Sequence, residues 1–154
     1  MSEFQRVTVR TTEMVVRVSP VGQRGPKGDD GSGGGDSTIV KQADGAISGH
    51  RIVRQTGVNG VSYVDVTDAS QVTSALGMTE NAASDGGDVT VRIEGEVTEG
   101  SWSWTPLQPI YLSANGMMTQ TPPTSPGAAF VLSVGYALSS DTMRVHLGIP
   151  ILLI

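Results

Sequence analysis

Glu94, Glu96 and Glu99 are the residues best placed by type and spacing for chemistry. Cleavage of a glycosidic bond needs two carboxyl groups at a set separation, one to protonate the leaving group and one to activate water or attack the sugar. Glu94 and Glu96 stand two positions apart on a stretch with strand alternation, so they share one face. The plainer account of the same spacing is an exposed acidic sheet face. His50 and His146 are the only histidines and lie far apart in the chain. A metal would need further nitrogen or oxygen ligands at compatible spacing. His146 falls in an alternating stretch and reads as a solvent-facing or hydrogen-bonded sheet residue. Asp85 and Asp88 flank Gly86-Gly87, and Asp29-Asp30 follow Gly28. Neither set alternates oxygen ligands toward a distal glutamate, as a calcium loop does. No nucleophile elbow, phosphate loop or nucleotide motif is present. The chain therefore reads as a non-enzyme with no cofactor and no metal.

Two apolar features offer binding instead. Trp102 and Trp104, with Ser103 between them, fall on one side of an extended segment. Such a pair can stack on sugar rings or anchor an interface. It can also plug the open end of a barrel or pack between trimer mates. The run Ile149-Pro150-Ile151-Leu152-Leu153-Ile154 is too apolar to be left in water. It must return to the core or meet its equivalents around a threefold axis. Pro150 keeps it away from a central sheet position.

The elements that must position these residues are strands. Gly, Ser, Thr and Val are abundant and only 16% of the 154 residues are charged, a composition that favours β-structure with many turns. The length allows one compact domain plus an arm. The net charge of -5 and the lack of a basic patch argue against a nucleic-acid partner. The absence of cysteine excludes disulfides and thiol catalysis. No run approaches a membrane span, and the first residues lack the apolar centre of a signal peptide.

The chain divides into three parts. Residues 1–19 form an extended arm, with alternation at Val7-Thr8-Val9 and Val16-Arg17-Val18. Such an arm has no core of its own and must pair with another chain. Residues 20–36 carry Gly22, Gly25, Gly28, Gly31 and Gly34 at a spacing of three. That is the period of the collagen triple helix, where only glycine fits at the crowded axis. A flexible glycine-rich linker is the competing reading. Residues 37–154 form a β-rich domain. A strand is expected within Ala46–Arg54, one or two pieces around Gly49, followed by a hairpin partner at Val61–Val66 across a Val58-Asn59-Gly60 turn. One helix is expected at about 69–76, capped by Asp68 with Gln71 and stopped by Gly77. Strands follow at 88–97, with a bulge at Gly95, then in a hairpin about Ala114-Asn115-Gly116, and in a last hairpin about Ser139–Asp141. The fold class is mainly β, a small barrel or sandwich with one short helix.

Several of these stretches resemble tailed-bacteriophage virion proteins of the small fibre or head-decoration type. They are Ile47–Arg51, Gly87–Val97, Trp104-Thr105-Pro106 ahead of Pro109–Leu112, the Asn115-Gly116 turn and Val134-Gly135-Tyr136-Ala137. The order of arm, short Gly-X-Y stretch and β domain is similar too. The resemblance implies a homotrimer whose residues 1–19 dock on other virion proteins, of tail, baseplate or capsid. It implies a β domain facing outward, toward a host surface glycan or protein or toward another fibre. The chain would then be assembled in the host cytoplasm and work in the virion. The short repeat and small domain leave a tail fibre and a head-decoration protein both open. In solution the full chain is expected to have three times the mass of one chain; a monomer by light scattering would overturn the trimer.

Overall fold

Alternating β-branched residues become strands, and one long strand organises the others. The computed structural model describes residues 37–154. The arm valines Val7, Val9, Val16 and Val18, and the repeat glycines Gly22, Gly25, Gly28, Gly31 and Gly34, lie outside the described residues. The strands are β1 (Ser37–Ala43), β2 (Ile52–Gln55), β3 (Gly60–Tyr63), β4 (Ala75–Thr79), β5 (Asp88–Thr98), β6 (Pro109–Leu112), β7 (Met118–Thr119), β8 (Phe130–Val131), β9 (Ser133–Ala137), β10 (Thr142–His146) and β11 (Ile151–Leu152).

The order β1-β3-β2-β4-β5 closes on itself, because β5 also pairs with β1. This makes a five-stranded barrel. All pairs in it are antiparallel except β1 with β3. From β5 the sheet runs on through β10, β9, β6 and β7. The first part of β5 pairs with β1 and β4, and its last part, Glu94–Thr98, pairs with β10. Gly95, with φ of 125°, sits where the partners change. A glycine takes that φ without the steric cost of a side chain.

Two cores follow from period-two alternation. Ala43, Val53, Val61, Val89 and Val91, with Leu76 against them, draw on all five strands of the ring and fill the barrel. Ile52 and Met78 belong to the other cluster, with Val97, Ile110, Leu112, Phe130, Leu132, Val134, Met143 and Val145. This second core lies between the barrel strands β2 and β4 and the second sheet. Ile52 and Val53 are adjacent and both fully buried, so β2 faces a core on each side.

The fold is mainly β as expected, with one correction. The helix expected over 69–76 is a single turn of 3-10 helix at Ala69–Gln71, and Ala75–Thr79 is β4 instead. The cap itself forms: the Ser70 amide donates to Asp68 Oδ1 at 3.0 Å. Gln71 Nε2 donates to Asp68 Oδ2, and its Oε1 accepts from Asp65 N rather than from the cap residue's own N–H. Gly77 does not end a helix; it is buried within β4. The physical reason is closure. β4 joins β2 to β5, and its burial of Met78 and Thr79 outweighs a weak four-residue helical pattern. Two smaller differences concern the first hairpin. Its strand within Ala46–Arg54 begins only at Ile52, while Ile47 makes a lone bridge to Ala83. Its loop is wider than an Asn-Gly turn, closed by Thr56 N donating to Gly60 O at 2.9 Å.

The Ala114-Asn115-Gly116 turn forms as expected, with φ of 54° at Asn115 and 68° at Gly116. It also joins the two halves of the domain. Gly116 N donates to Val64 O at 2.7 Å, and a Cβ at Gly116 would lie 2.3 Å from the Ile52 carbonyl oxygen. Gly116→Ala should therefore cost about 2–4 kcal/mol, from left-handed strain and from forcing the hairpin off β2. A chemical denaturation midpoint equal to that of the unmodified chain would refute this.

Candidate functional site

The tryptophan segment leaves β5 at Glu99 and reaches β6 at Pro109 with no strand pairing of its own. Its backbone is held instead by the β9–β10 hairpin. Glu99 N donates to Asp141 O, Trp104 N to Ser140 O and Leu107 N to Ala137 O, each at 2.8 Å. Gln120 brackets Thr105, accepting from its N–H at 2.8 Å and donating to its carbonyl at 2.9 Å. These bonds satisfy backbone groups that a sheet would otherwise serve. The segment ends in a turn with Pro106 second and Leu107 third, closed by Gln108 N to Thr105 O at 3.4 Å. Leu107 has φ of 65°, in a position that glycine usually takes, and its side chain is 81% exposed.

Trp102 and Trp104 are brought together as the sequence spacing implied. Their ring centroids are 5.6 Å apart at an interplanar angle of 52°. Both are half-buried and pack on the second core. The Trp104 indole N–H is buried without an acceptor. His50 completes the cluster, although it lies some fifty positions from the tryptophans in the chain. Its ring meets Trp102 edge-on at 5.5 Å, and its Nδ1 lies 3.3 Å from Glu99 Oε2. His50 is positioned by the barrel. Thr79, fully buried, donates its hydroxyl to Ser48 O at 2.8 Å and accepts from Arg51 N at 3.0 Å. His50 N donates to Thr79 O at 2.7 Å, and His50 takes φ of 57°. Thr79 thus fixes a turn that carries His50 across to the tryptophan segment. No local sequence signal marks this, because Thr79, His50 and Trp102 meet only through strand pairing.

The carboxylates are spread out. Glu94 Oε1 lies 3.5 Å from Arg144 and 3.6 Å from His146 across the β5–β10 pair. Glu96 stands opposite Arg144 in the same ladder. Glu99 faces His50 and accepts from Ser101 N at 3.1 Å. His146 is largely exposed on β10. Among the described residues no group of three or more His, Asp or Glu is arranged to hold a metal ion. Asp85 accepts from the Gly45 amide at 2.9 Å and so supports a turn.

The terminal segment behaves differently from a core strand. β11 pairs with β8, Ile151 opposite Val131 and Leu152 opposite Phe130. Leu153 alone of its apolar side chains turns inward, packing against the second core. Ile149, Ile151, Leu152 and Ile154 are exposed. A cavity of about 210 Å³ opens at the base of this segment, lined by Val72, Thr73, Ala75, Leu132, Leu147, Gly148 and Pro150.

No protein-family model matches the chain, and a search of curated proteins gave no match. Among solved structures the chain is similar to the N base of the head fibre gp8.5 of bacteriophage phi29. The identity is 13%, over 75% of this chain and 97% of that one, with a TM-score of 0.44. At that score the likeness assigns no function.

Three surface carboxyls are held below the ordinary range by hydrogen bonds. Glu99 is lowered by the amide and hydroxyl of Ser101, with a smaller contribution from His50. Asp68 is lowered by Ser70 and Gln71, and Asp141 by the hydroxyls of Ser139 and Thr142. A lowered folded value means that the stabilisation is present above the unfolded carboxylate range, about pH 4, and is lost as pH falls through the folded value. The melting temperature should thus decline below about pH 4. Asp141→Asn should flatten part of that decline; an unaltered pH profile of melting would count against the Asp141 contribution.

Proposed function

We propose that this chain is a structural subunit of a tailed-bacteriophage virion. It is a homotrimer, attached through residues 1–19 and presenting residues 37–154 outward for host attachment or fibre assembly. One observation carries the reading. A well-packed β domain holds four large aliphatic side chains, Ile149, Ile151, Leu152 and Ile154, in water on a strand-paired segment. Patches of that kind mark surfaces that are covered in an assembly. The triplet glycines Gly22 to Gly34 support it from the sequence, because their period suits three chains in register.

The domain's chemistry agrees with a structural role. Glu94 and Glu96 sit on a sheet face shared with Arg144 and His146, an arrangement suited to an exposed charged ladder. The half-buried Trp102–Trp104 pair and the exposed Leu107 of the same segment are side chains suited to meet a glycan or a protein. A second reading, a head-decoration protein, is favoured by the shortness of the glycine repeat, which would make a coupling between anchor and domain rather than a shaft.

Antibody raised against the purified chain should label purified phage particles. Label at the tail in low copy supports the fibre reading. Label over the head in hundreds of copies selects the decoration reading. Particles carrying none of this chain, by labelling and by mass spectrometry, would refute both.

A further inference from the structure

The segment Ile149–Ile154 is strand-paired yet mostly bare. Two backbone pairs tie it to β8, and Leu153 N donates to Ala129 O at 2.9 Å. Neighbouring residues on a strand face opposite sides. Ile151 and Leu152 are neighbours and both are exposed, so the strand lacks cover on either face. A strand that merely edged its own domain would bury one of them. Ile149 is 89% exposed, although Gly148 and Pro150 on each side of it line the cavity. The segment therefore leaves the rim of an aliphatic cavity without filling it. That cavity, lined chiefly by Val72, Ala75, Leu132, Leu147 and Pro150, is of a chemistry and size suited to an isoleucine or leucine side chain.

We propose that the segment Ile149–Ile154 of one copy seats its aliphatic side chains in the Val72–Leu132–Leu147 cavity of the next copy. The inference rests on the trimeric reading above and names the contact that makes it. The occupant is a second copy because the triplet glycines of the same chain call for identical chains side by side. The projecting segment and the cavity are different surfaces of one chain, so the contact is head-to-tail. Such a contact closes into a ring only at a set rotation. Three copies in register at the glycine repeat supply a threefold rotation. Each copy then both gives and receives a segment.

The lack of cysteine makes a clean test possible. Two differently tagged full-length chains are co-expressed, one carrying Ile154→Cys and the other Thr73→Cys, the latter at the exposed rim of the cavity. Oxidation should give a disulfide-linked band bearing both tags. If the only link is Ile154→Cys to itself, or if none forms while the trimer mass is intact, the proposal is overturned. In a second arm, Leu152→Asp in the full chain should keep the far-ultraviolet circular dichroism of the unmodified protein. It should also raise the concentration at which trimers dissociate by about tenfold or more. An unchanged dissociation midpoint overturns the proposal, as does a segment protected only by residues 1–36 of its own chain in hydrogen exchange. The two readings fail separately. A mixed-tag link in a chain missing from particles refutes the virion role and leaves the interface. A chain present in particles without that link does the reverse.

Discussion

β5 must satisfy two sheets with one backbone. Its residues from Asp88 onward pair with β1 and β4 to complete the barrel, and Glu94–Thr98 pair with β10 to begin the second sheet. Every unpaired N–H or C=O on such a strand, once buried, costs about as much as a lost hydrogen bond. The strand is therefore committed along its length, and the other elements take their positions from it. Val89 and Val91 enter the barrel; between Arg92 and Glu94 the register against β1 shifts by one residue, and Val97, beyond that shift, enters the second core. One alternating strand thus seeds both hydrophobic clusters. Gly95 permits the change of partners at the point where a side chain would resist the backbone geometry.

The loops are placed by the same economy of backbone bonding. The tryptophan segment has no ladder, so it borrows carbonyls from the β9–β10 hairpin and an amide side chain from Gln120. The barrel contributes His50 through the buried Thr79. The cluster His50–Trp102–Trp104 is therefore a joint between the barrel and the second sheet as well as a surface. Leu107 differs from these residues. It is held at positive φ and left in water, so neither its conformation nor its burial favours the isolated domain.

Much of the fold was legible in the chain. Val89-Thr90-Val91-Arg92-Ile93 announces β5 by strict alternation, and Asn115-Gly116 announces the turn between β6 and β7 by its tolerance of positive φ. The final hairpin around Ser139–Asp141 is equally plain. β4 was not legible. Ala75-Leu76-Gly77-Met78-Thr79 has no strong strand pattern, and the apolar spacing before it suits a helix; it becomes a strand because β2 and β5 leave a gap that only a paired segment can close. β1 was missed for the complementary reason, since its partners β3 and β5 lie well along the chain. Of the candidate site, the Trp102–Trp104 pairing could be read from a spacing of two, whereas His50 could not, because its place depends on the clamp that Thr79 provides from another strand.

By itself the sequence determined the β class, the strongest strands, the tight turn at Asn115-Gly116 and the presence of an apolar terminal run, all of which depend on neighbours within a few residues. The tertiary structure decided the rest. Barrel closure turned an expected helix into β4. Strand pairing carried His50 to Trp102. The pairing of β11 with β8 set Leu153, half-buried, against the second core and left Ile149, Ile151, Leu152 and Ile154 outside. Which side of a strand meets a core is set by partners distant in the chain, and no local pattern encodes where those partners will lie.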